Sequence, residues 1–267
     1  MAFADLDAFK TALGSQREIT AVNAAGTVIA GRTYDLWVQG LPAGVAPTAS
    51  VVPTNATVGA LGQADGGTGA LTVMGARMSA LNAGNYIICD RLVHSGGLSG
   101  IVTTAQTTNL PTAALTRYTS GEGVMIGLTL YSNTGSTATT VTAVYTNQAG
   151  TGSRVTTAVV FGSTGFNAAP RMILLPLQAG DSGVQSVQSV TVLATTGTAG
   201  NFGVTLFKPL FVICVDPHSG ILPAAGYITG ATFGGFPEIV DGACLFPILI
   251  SGGANSSAAG ALLLAEH

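Results

Sequence analysis

Short runs of apolar and β-branched residues, separated by turns rich in glycine, serine and asparagine, make up most of the chain from Tyr86 to Val215. In Val184–Val192 the valines interleave with Gln and Ser, which is typical of a half-buried strand containing one bulge. No strong helical periodicity interrupts this region. The pattern predicts an all-β fold, a jelly roll or β-sandwich, rather than a parallel sheet with crossover helices.

The strands predicted from this pattern are Thr27–Ile29, Thr33–Gln39, Tyr86–Val93, Val124–Leu130, Thr139–Thr146, Arg154–Phe161, Met172–Leu177, Val184–Ala194 and Phe202–Val215. Asn147–Gly152, between two of them, predicts a hairpin loop. The proline- and glycine-rich segment Leu41–Asp65 predicts an extended loop. Leu71–Leu81 fits either a short strand or a helical turn.

The two ends of the chain depart from this pattern. Asp5 can cap a short helix over residues 5–13, with Leu6 and Phe9 on one face and Gly14 at its end. This helix packs either on its own domain or on a neighbouring subunit. We therefore divide the chain into an N-terminal helix or arm (1–25), a β-sandwich domain (26–216) and an extended C-terminal lobe or arm (217–267). The helix and residues 251–264 are the segments expected to reach neighbours.

Charge is scarce throughout the sequence. Asp, Glu, Lys and Arg make up 8% of residues, against about 25% in an ordinary soluble protein. Hydrophobic residues make up 47%, and 37 positions are glycine. Because surface charge normally keeps a monomer dispersed, this composition indicates that much of the surface faces another protein.

Several partners are disfavoured by the same residues. The net charge is −3 and no basic cluster occurs, so nucleic-acid binding has no electrostatic support. The apolar stretches Val204–Val215 and Ala243–Ile250 contain prolines and are shorter than the roughly 20 residues of a membrane-spanning helix. The first residues lack the basic and apolar regions of a signal peptide, so we expect synthesis in a host cytoplasm. Cys89, Cys214 and Cys244 are expected to be buried free thiols.

Five turn-rich β motifs occur in order between about residues 26 and 215. They are Gly31–Trp37 with the loop to Pro53, Cys89–Leu98 leading into Thr103–Gln106, Leu115–Val124, Tyr145–Arg154 and Leu177–Val187. Each is of modest specificity alone. Together they resemble a group of structural, head-associated virion proteins of tailed bacteriophages. The resemblance implies a particle component such as a head decoration or cement protein.

The polar residues of these motifs have a structural interpretation. Asn147 and Gly150 tolerate the positive φ that a tight hairpin loop requires. Asp181, in a Gly-Asp-Ser-Gly turn, is expected to accept hydrogen bonds from the following backbone amides. Arg117, and Asp90 beside Arg91, are expected to supply charge-assisted hydrogen bonds at a charge-poor surface.

A hydrolase site would need a nucleophile, a base and an acid, and His94-Ser95 and Asp216–Ser219 contain those residue types. Neither has a Gly-x-Ser-x-Gly elbow, and adjacent strand residues point to opposite faces. A glycosidase would need two carboxylates and an aromatic groove, whereas aromatics are 6% of the chain. Residues 66–69 lack the lysine of a phosphate loop. We predict no catalytic residue.

Metal sites have little support in the spacing. The candidate zinc ligands, Cys89, His94, Cys214, His218 and Cys244, form no short ligand motif. The scattered acids Asp65, Asp181, Glu238 and Asp241 form no EF-hand, although the last two are close enough to share a cation. We predict no cofactor, no metal and no small-molecule substrate.

These observations favour a non-enzymatic phage particle component, with capsid decoration or cementing of the head shell as the first hypothesis. The expected partners are further copies of the chain, in a homotrimer or similar ring, and the major capsid protein, at the capsid surface of the virion. The alternative is a tail or neck structural or receptor-binding protein. A particle-associated hydrolase is the competitor from another class.

Overall fold

The computed structural model describes residues 17–67, 69–215, 224–229 and 237–266, and in these ranges every regular element is a β-strand. The helix expected over residues 5–13 lies outside the described residues. The strands are β1 (Arg17–Thr27), β2 (Thr33–Asp35), β3 (Gly40–Leu41), β4 (Leu71–Ala80), β5 (Gly84–His94), β6 (Met125–Ser132), β7 (Thr139–Asn147), β8 (Arg154–Val155), β9 (Val159–Phe161), β10 (Met172–Leu175), β11 (Val184–Val192), β12 (Asn201–Val215), β13 (Ala224–Thr229), β14 (Glu238–Ile239), β15 (Leu245–Ser251) and β16 (Asn255–Glu266).

The central sheet has six strands in the order β10-β6-β12-β5-β15-β2, all paired antiparallel. Its two edge strands also meet. Tyr34 on β2 forms a bridge with Arg171 beside β10, and the Asp35 amide donates to the Pro170 carbonyl at 3.0 Å. The sheet therefore closes into a small barrel, which removes the exposed edges that an open sheet would present.

The barrel interior is lined by side chains that alternate with outward-facing ones along each strand. Its apolar part includes Trp37, Cys89, Met172, Phe207 and Phe246. Since these residues are at most 2% exposed, the interior is a filled core and not a channel.

A second sheet covers one side of the barrel, in the order β13-β4-β16-β1-β3, with β14 also paired to β4. The core between them contains Tyr86, Ile213 and Leu249 from the barrel and Leu71 and Leu264 from the covering sheet. A third sheet, β11-β7-β8 with β9 paired to β7, covers another side. A separate core between that sheet and the barrel includes Leu128 and Val204 facing Val141, Tyr145 and Val190. The molecule is thus built from packed β layers.

The prediction of an all-β chain is confirmed for the described residues. The predicted strands from Tyr86 to Val215 match β5 to β12 except at Arg154–Phe161, which was predicted as one strand and forms the two short strands β8 and β9. Leu71–Leu81, left undecided from the sequence, forms β4. The predicted hairpin connects β7 and β8, where Gly150 has a φ of +77°. Leu41–Asp65 is an extended loop beyond the two residues of β3.

Strand β12 contains a proline within its paired length. The strand continues through Pro209. Its pairing with β5 shifts between Pro209 and Phe211, because proline cannot donate a hydrogen bond to the ladder.

Strand β16 lies between β1 and β4 and is paired on both edges within its own chain. Residues 255–266 are therefore an internal strand, in contrast to the expected arm at residues 251–264. The boundaries 1–25, 26–216 and 217–267 stay predictions.

Candidate functional site

The densest cluster of charged and hydrogen-bonded side chains lies inside the barrel. Arg91 of β5 donates from Nη2 to both carboxylate oxygens of Asp35 on β2, and neither side chain has any exposed surface. Strand β15 lies between these two strands, so the pair crosses the barrel interior above it. The Asp35 carboxylate raises the pKa of Arg91 against the lowering effect of burial, which keeps the guanidinium charged.

Hydroxyls extend this ion pair to two further strands. Thr129 of β6 donates to Asp35 Oδ2 at 2.7 Å, and its hydroxyl lies 2.9 Å from that of Thr205 on β12. Thr205 in turn accepts from Arg91 Nη1 at 3.2 Å. The guanidinium carbon lies 4.6 Å and 4.0 Å from the centroids of the Trp37 and Phe246 rings. The hydrogen bonds of this cluster link four of the six barrel strands and pair two charges that would be costly to bury alone, although Arg91 Nε has no hydrogen-bond partner among the described residues.

A second ion pair involves Asp90, the residue of β5 next to Arg91. Arg117 donates to both oxygens of Asp90, each at 2.8 Å, and also to the carbonyls of Pro53 and Arg91. Asp90 accepts as well from the Cys244 amide at 2.8 Å. The pair therefore fastens three separate segments of chain to β5. The expectation that these charges serve the surface is wrong, since Asp90 is fully buried and the Arg117 side chain is 9% exposed.

A third cluster forms where the loops around β7 and β11 meet. Asp181 accepts hydrogen bonds from the Tyr145 hydroxyl, the Asn147 side-chain amide and the Arg154 guanidinium. These bonds, that from Arg154 above all, lower the pKa of Asp181 to about 2. Side-chain donors thus hold the carboxylate, in contrast to the predicted bonds from the following backbone amides. The amides of Ser182 and Gly183 donate to Gln148 instead.

These clusters explain the five motifs singled out in the sequence. The Asp35–Arg91 pair joins the first motif to the second, and the Asp90–Arg117 pair joins the second to the third. The Arg154–Asp181 pair joins the fourth to the fifth. Finally, the Ser182 hydroxyl donates to Glu122 at 2.8 Å and so joins the fifth to the third. Apart from Arg32, the charged residues of the motifs are cross-links of the fold.

Of the catalytic candidates, the two that the structure describes, His94 and Ser95, form no reactive centre. His94 is 2% exposed, stacks edge-on against Trp37 at 5.2 Å between ring centroids, and lies 3.3 Å from Arg91 Nη1. Burial and the Arg91 charge lower the pKa of His94 to about 3, so it is neutral at physiological pH. The Ser95 hydroxyl is fully buried and bonded to the Val204 backbone. Residues 216–219 lie outside the described residues.

The metal candidates that the structure describes are likewise dispersed. Cys89 and Cys244 are buried, whereas Cys214 is exposed, so the expectation of three buried thiols is wrong for Cys214. Asp65 accepts from the Asn55 side chain at 2.7 Å and from the Gly242 amide at 2.6 Å, which makes it a clamp between loops. Within the described ranges no three His, Cys, Asp or Glu side chains are grouped closely enough to hold a metal ion.

Sequence reasoning missed the parts of these clusters that depend on strand register. Thr129 and Thr205 carry no motif, and their meeting with Asp35 follows from pairing of strands distant in sequence. Arg171, which is 2% exposed, was also missed, because a charged residue directly before a predicted strand is ordinarily expected at the surface. Among the described residues no helix is long and apolar enough to span a membrane.

The fold and its clusters define a class of protein, a layered all-β body cross-linked by internal ion pairs. No protein-family model and no curated protein matches the chain. Among solved structures it is similar to VP2 in a subviral particle of infectious bursal disease virus, at 9% identity over 95% of this chain and 80% of that chain, with a TM-score of 0.18. It is also similar to the VP1 pentamer of Human Polyomavirus 6, at 11% identity over 95% and 96%, with a TM-score of 0.11. These values are too low to establish a common fold.

Proposed function

We propose that the protein is a non-enzymatic structural component of a tailed-bacteriophage particle, acting as a capsid decoration or cement protein. The observation that carries this proposal is where the charges lie. Asp35, Asp90, Arg91 and Arg171 are buried in a chain that has few charges to begin with. Those classed as exposed in the described residues are five acids and one arginine: Glu18, Asp65, Arg77, Glu122, Glu238 and Asp241.

The other described residues that are classed as exposed are uncharged. Thirteen large hydrophobic side chains of the described residues are exposed, and Val45, Val58 and Leu193 are each about 70% exposed. Isolated exposed hydrophobics are ordinary on a monomer. Here they coincide with little charge to oppose association, which favours burial against further protein.

The mechanism we propose is stabilisation by repeated contact. Each copy would bury apolar surface against other copies, in a homotrimer or similar ring, and against the major capsid protein at the capsid surface. At about 25 cal/mol per Å² of apolar area, contacts of modest size accumulate large stability over a shell. The internal ion pairs would suit this role by fixing one rigid shape, and the resemblance of the five motifs to head-associated virion proteins supports the same assignment. The layered body would be of jelly-roll or sandwich type, assembled after synthesis in a host cytoplasm.

The test is a cryo-EM reconstruction of the particle that carries this protein, with the chain located and its copies counted. Copies covering the lattice on the outside of the head would support the decoration role. A small number in a ring or fibre at the tail would overturn it in favour of a tail, neck or receptor-binding component. As a measurement on the isolated chain, sedimentation velocity should detect a trimer or ring, and a strictly monomeric chain at high concentration would contradict self-association.

A further inference from the structure

A pocket of about 370 Å³ opens between β2, β9 and β10, and two arginines line it. Arg171 is 2% exposed, and its Nε and Nη1 atoms are buried with no hydrogen-bond partner among the described residues. Arg32 lines the same pocket and is half-buried. In the part of the chain that the structure describes, no carboxylate lies within ion-pair distance of either guanidinium.

Both guanidinium groups are held in place by their surroundings. The guanidinium carbon of Arg32 lies 4.0 Å from the centroid of the Phe166 ring, and that of Arg171 lies 5.8 Å from the same centroid. Arg171 also lies 4.4 Å from the Tyr34 ring centroid. Their backbones are fixed too, because the Arg171 carbonyl accepts from the Leu130 amide at 2.9 Å and the Arg32 carbonyl from the Ser251 amide at 3.0 Å.

The pocket therefore holds two like charges near one ring, and two nitrogens of the Arg171 guanidinium are buried without a hydrogen-bond acceptor. A buried charge without a partner is costly, and natural folds almost always supply one. Burial, followed by the repulsion from Arg32, lowers the pKa of Arg171. An anion bound between the two groups would offset both charges.

The remaining walls indicate which kind of anion fits. Val159, Val160, Ile173 and Leu174 supply apolar surface beside the two guanidinium groups. Inorganic phosphate or sulfate would leave this surface without a partner. A carboxylate joined to an aliphatic group matches both parts, since guanidinium binds carboxylate through paired hydrogen bonds.

We propose that the pocket between Arg32 and Arg171 is a binding site for an aliphatic carboxylate, either a free small acid or an acidic side chain flanked by apolar residues on another protein chain. A single copy of the chain supplies all residues of the site, so the proposal does not depend on where the chain sits in a particle.

The test is calorimetric titration of the purified chain with sodium hexanoate, with sodium phosphate at equal ionic strength as the comparison. Hexanoate should bind saturably at one site and raise the melting temperature, whereas phosphate should bind at least about 10-fold more weakly. Arg171→Met should weaken hexanoate binding at least about 10-fold by removing a charge-assisted pair. Since that change removes a buried unpartnered charge, the variant should still fold.

Two further variants keep the result interpretable. Arg32→Gln changes a half-buried side chain and should also weaken binding, while Arg77→Gln, at an exposed arginine paired with Glu18, should leave it unchanged. Equal effects of hexanoate and phosphate, or full binding by Arg171→Met, would overturn the proposal. A capped peptide with a central glutamate between leucines distinguishes the two sources: tighter binding than hexanoate assigns the site to a protein-borne carboxylate, and weaker binding assigns it to a small acid.

Discussion

Arg91 Nη2 donates to both carboxylate oxygens of Asp35 across the inside of the barrel, with both side chains fully buried and 56 residues apart in sequence. Taking two charges out of water is expensive, and their attraction offsets that cost only while both are present. This single pair of side chains therefore constrains the structure of the barrel strongly. Any change that leaves one member alone leaves a buried charge without compensation.

Asp35→Asn should lower the free energy of unfolding by about 3–5 kcal/mol, because the Arg91 guanidinium then stays buried without its counter-ion. Chemical denaturation followed by tryptophan fluorescence measures this loss, since Trp37 lies beside the guanidinium. Glu18→Gln is the matched control, because it breaks an ion pair with Arg77 that is exposed on both sides. That change should cost at most about 1 kcal/mol. Equal losses in the two variants would contradict the argument.

The double variant Asp35→Leu with Arg91→Met separates the two contributions. If removal of both charges restores most of the stability lost in Asp35→Asn, the penalty belongs to the uncompensated charge. Replacing a buried pair by apolar side chains is often neutral or stabilising. A double variant as unstable as the single one would show instead that the pair itself is required for folding.

Strands whose structure follows from the local residue pattern were predicted correctly from the sequence. Features that depend on the pairing of strands distant in sequence were not predicted. Alternation in Val184–Val192 was enough to predict β11, since one face of that strand is buried. Strand β4 was ambiguous because its burial pattern contains runs of buried residues on both faces. The placement of β16 between β1 and β4 was not predictable, because a Gly- and Ala-rich segment carries little periodic signal.

The same distinction holds for the polar clusters. Asp90 and Arg117 were recognised as hydrogen-bonding residues, but their burial depends on the Pro53 loop and the chain before β15 packing over β5. Asp181 was predicted to bond its own turn, whereas the pairing of β7 with β11 and with β8 brings the Tyr145 hydroxyl and Arg154 to it. Residue type indicates the chemistry of a side chain, and long-range pairing determines its partner.

One of the three cysteines should react rapidly with a thiol reagent in the native protein. Cys214 is exposed, whereas Cys89 and Cys244 are buried. Burial raises the pKa of Cys244 to about 12, so its reactive thiolate is scarce as well as inaccessible. Titration with a chromogenic disulfide should detect about one thiol in the folded chain and three after unfolding. Cys214→Ser should abolish the native reaction, and rapid reaction of all three thiols would contradict the packing.

Gly203→Ala should destabilise the protein by about 1–3 kcal/mol through overpacking. A Cβ at this position would lie 1.8 Å from the carbonyl oxygen of Ser95, and backbone cannot move aside as a flexible side chain can. Because Ser95 is bonded to Val204, the shift would also disturb that contact. Gly62→Ala is the control, since nothing lies within 4 Å of its added carbon. Thermal unfolding compares the two, and an unchanged melting temperature for Gly203→Ala would contradict the close approach.

Lowering the pH should destabilise the fold because of His94. This effect should begin at pH values well above the one at which His94 is protonated in the folded chain. Its pKa is lowered to about 3 in the folded chain from an ordinary 6.5, because it is buried and lies beside Arg91. Between those two values the unfolded chain binds one proton more than the folded chain. The stability contributed by neutral His94 is therefore complete above pH 6.5 and falls by about 1.4 kcal/mol per pH unit as the pH drops toward 3.

His94→Gln removes this titration and is the variant that tests it. The Arg91 guanidinium can only donate, so Nδ1 of His94 accepts at 3.3 Å, and the glutamine side-chain oxygen can accept in its place. The variant should be less stable than the native chain at pH 8, owing to lost packing on Trp37. That difference should shrink steadily below pH 6.5, because the acid-dependent loss is absent from the variant. Denaturation curves at pH 4 to 8 measure the slope, and parallel profiles for the two proteins would rule out His94 as the group responsible.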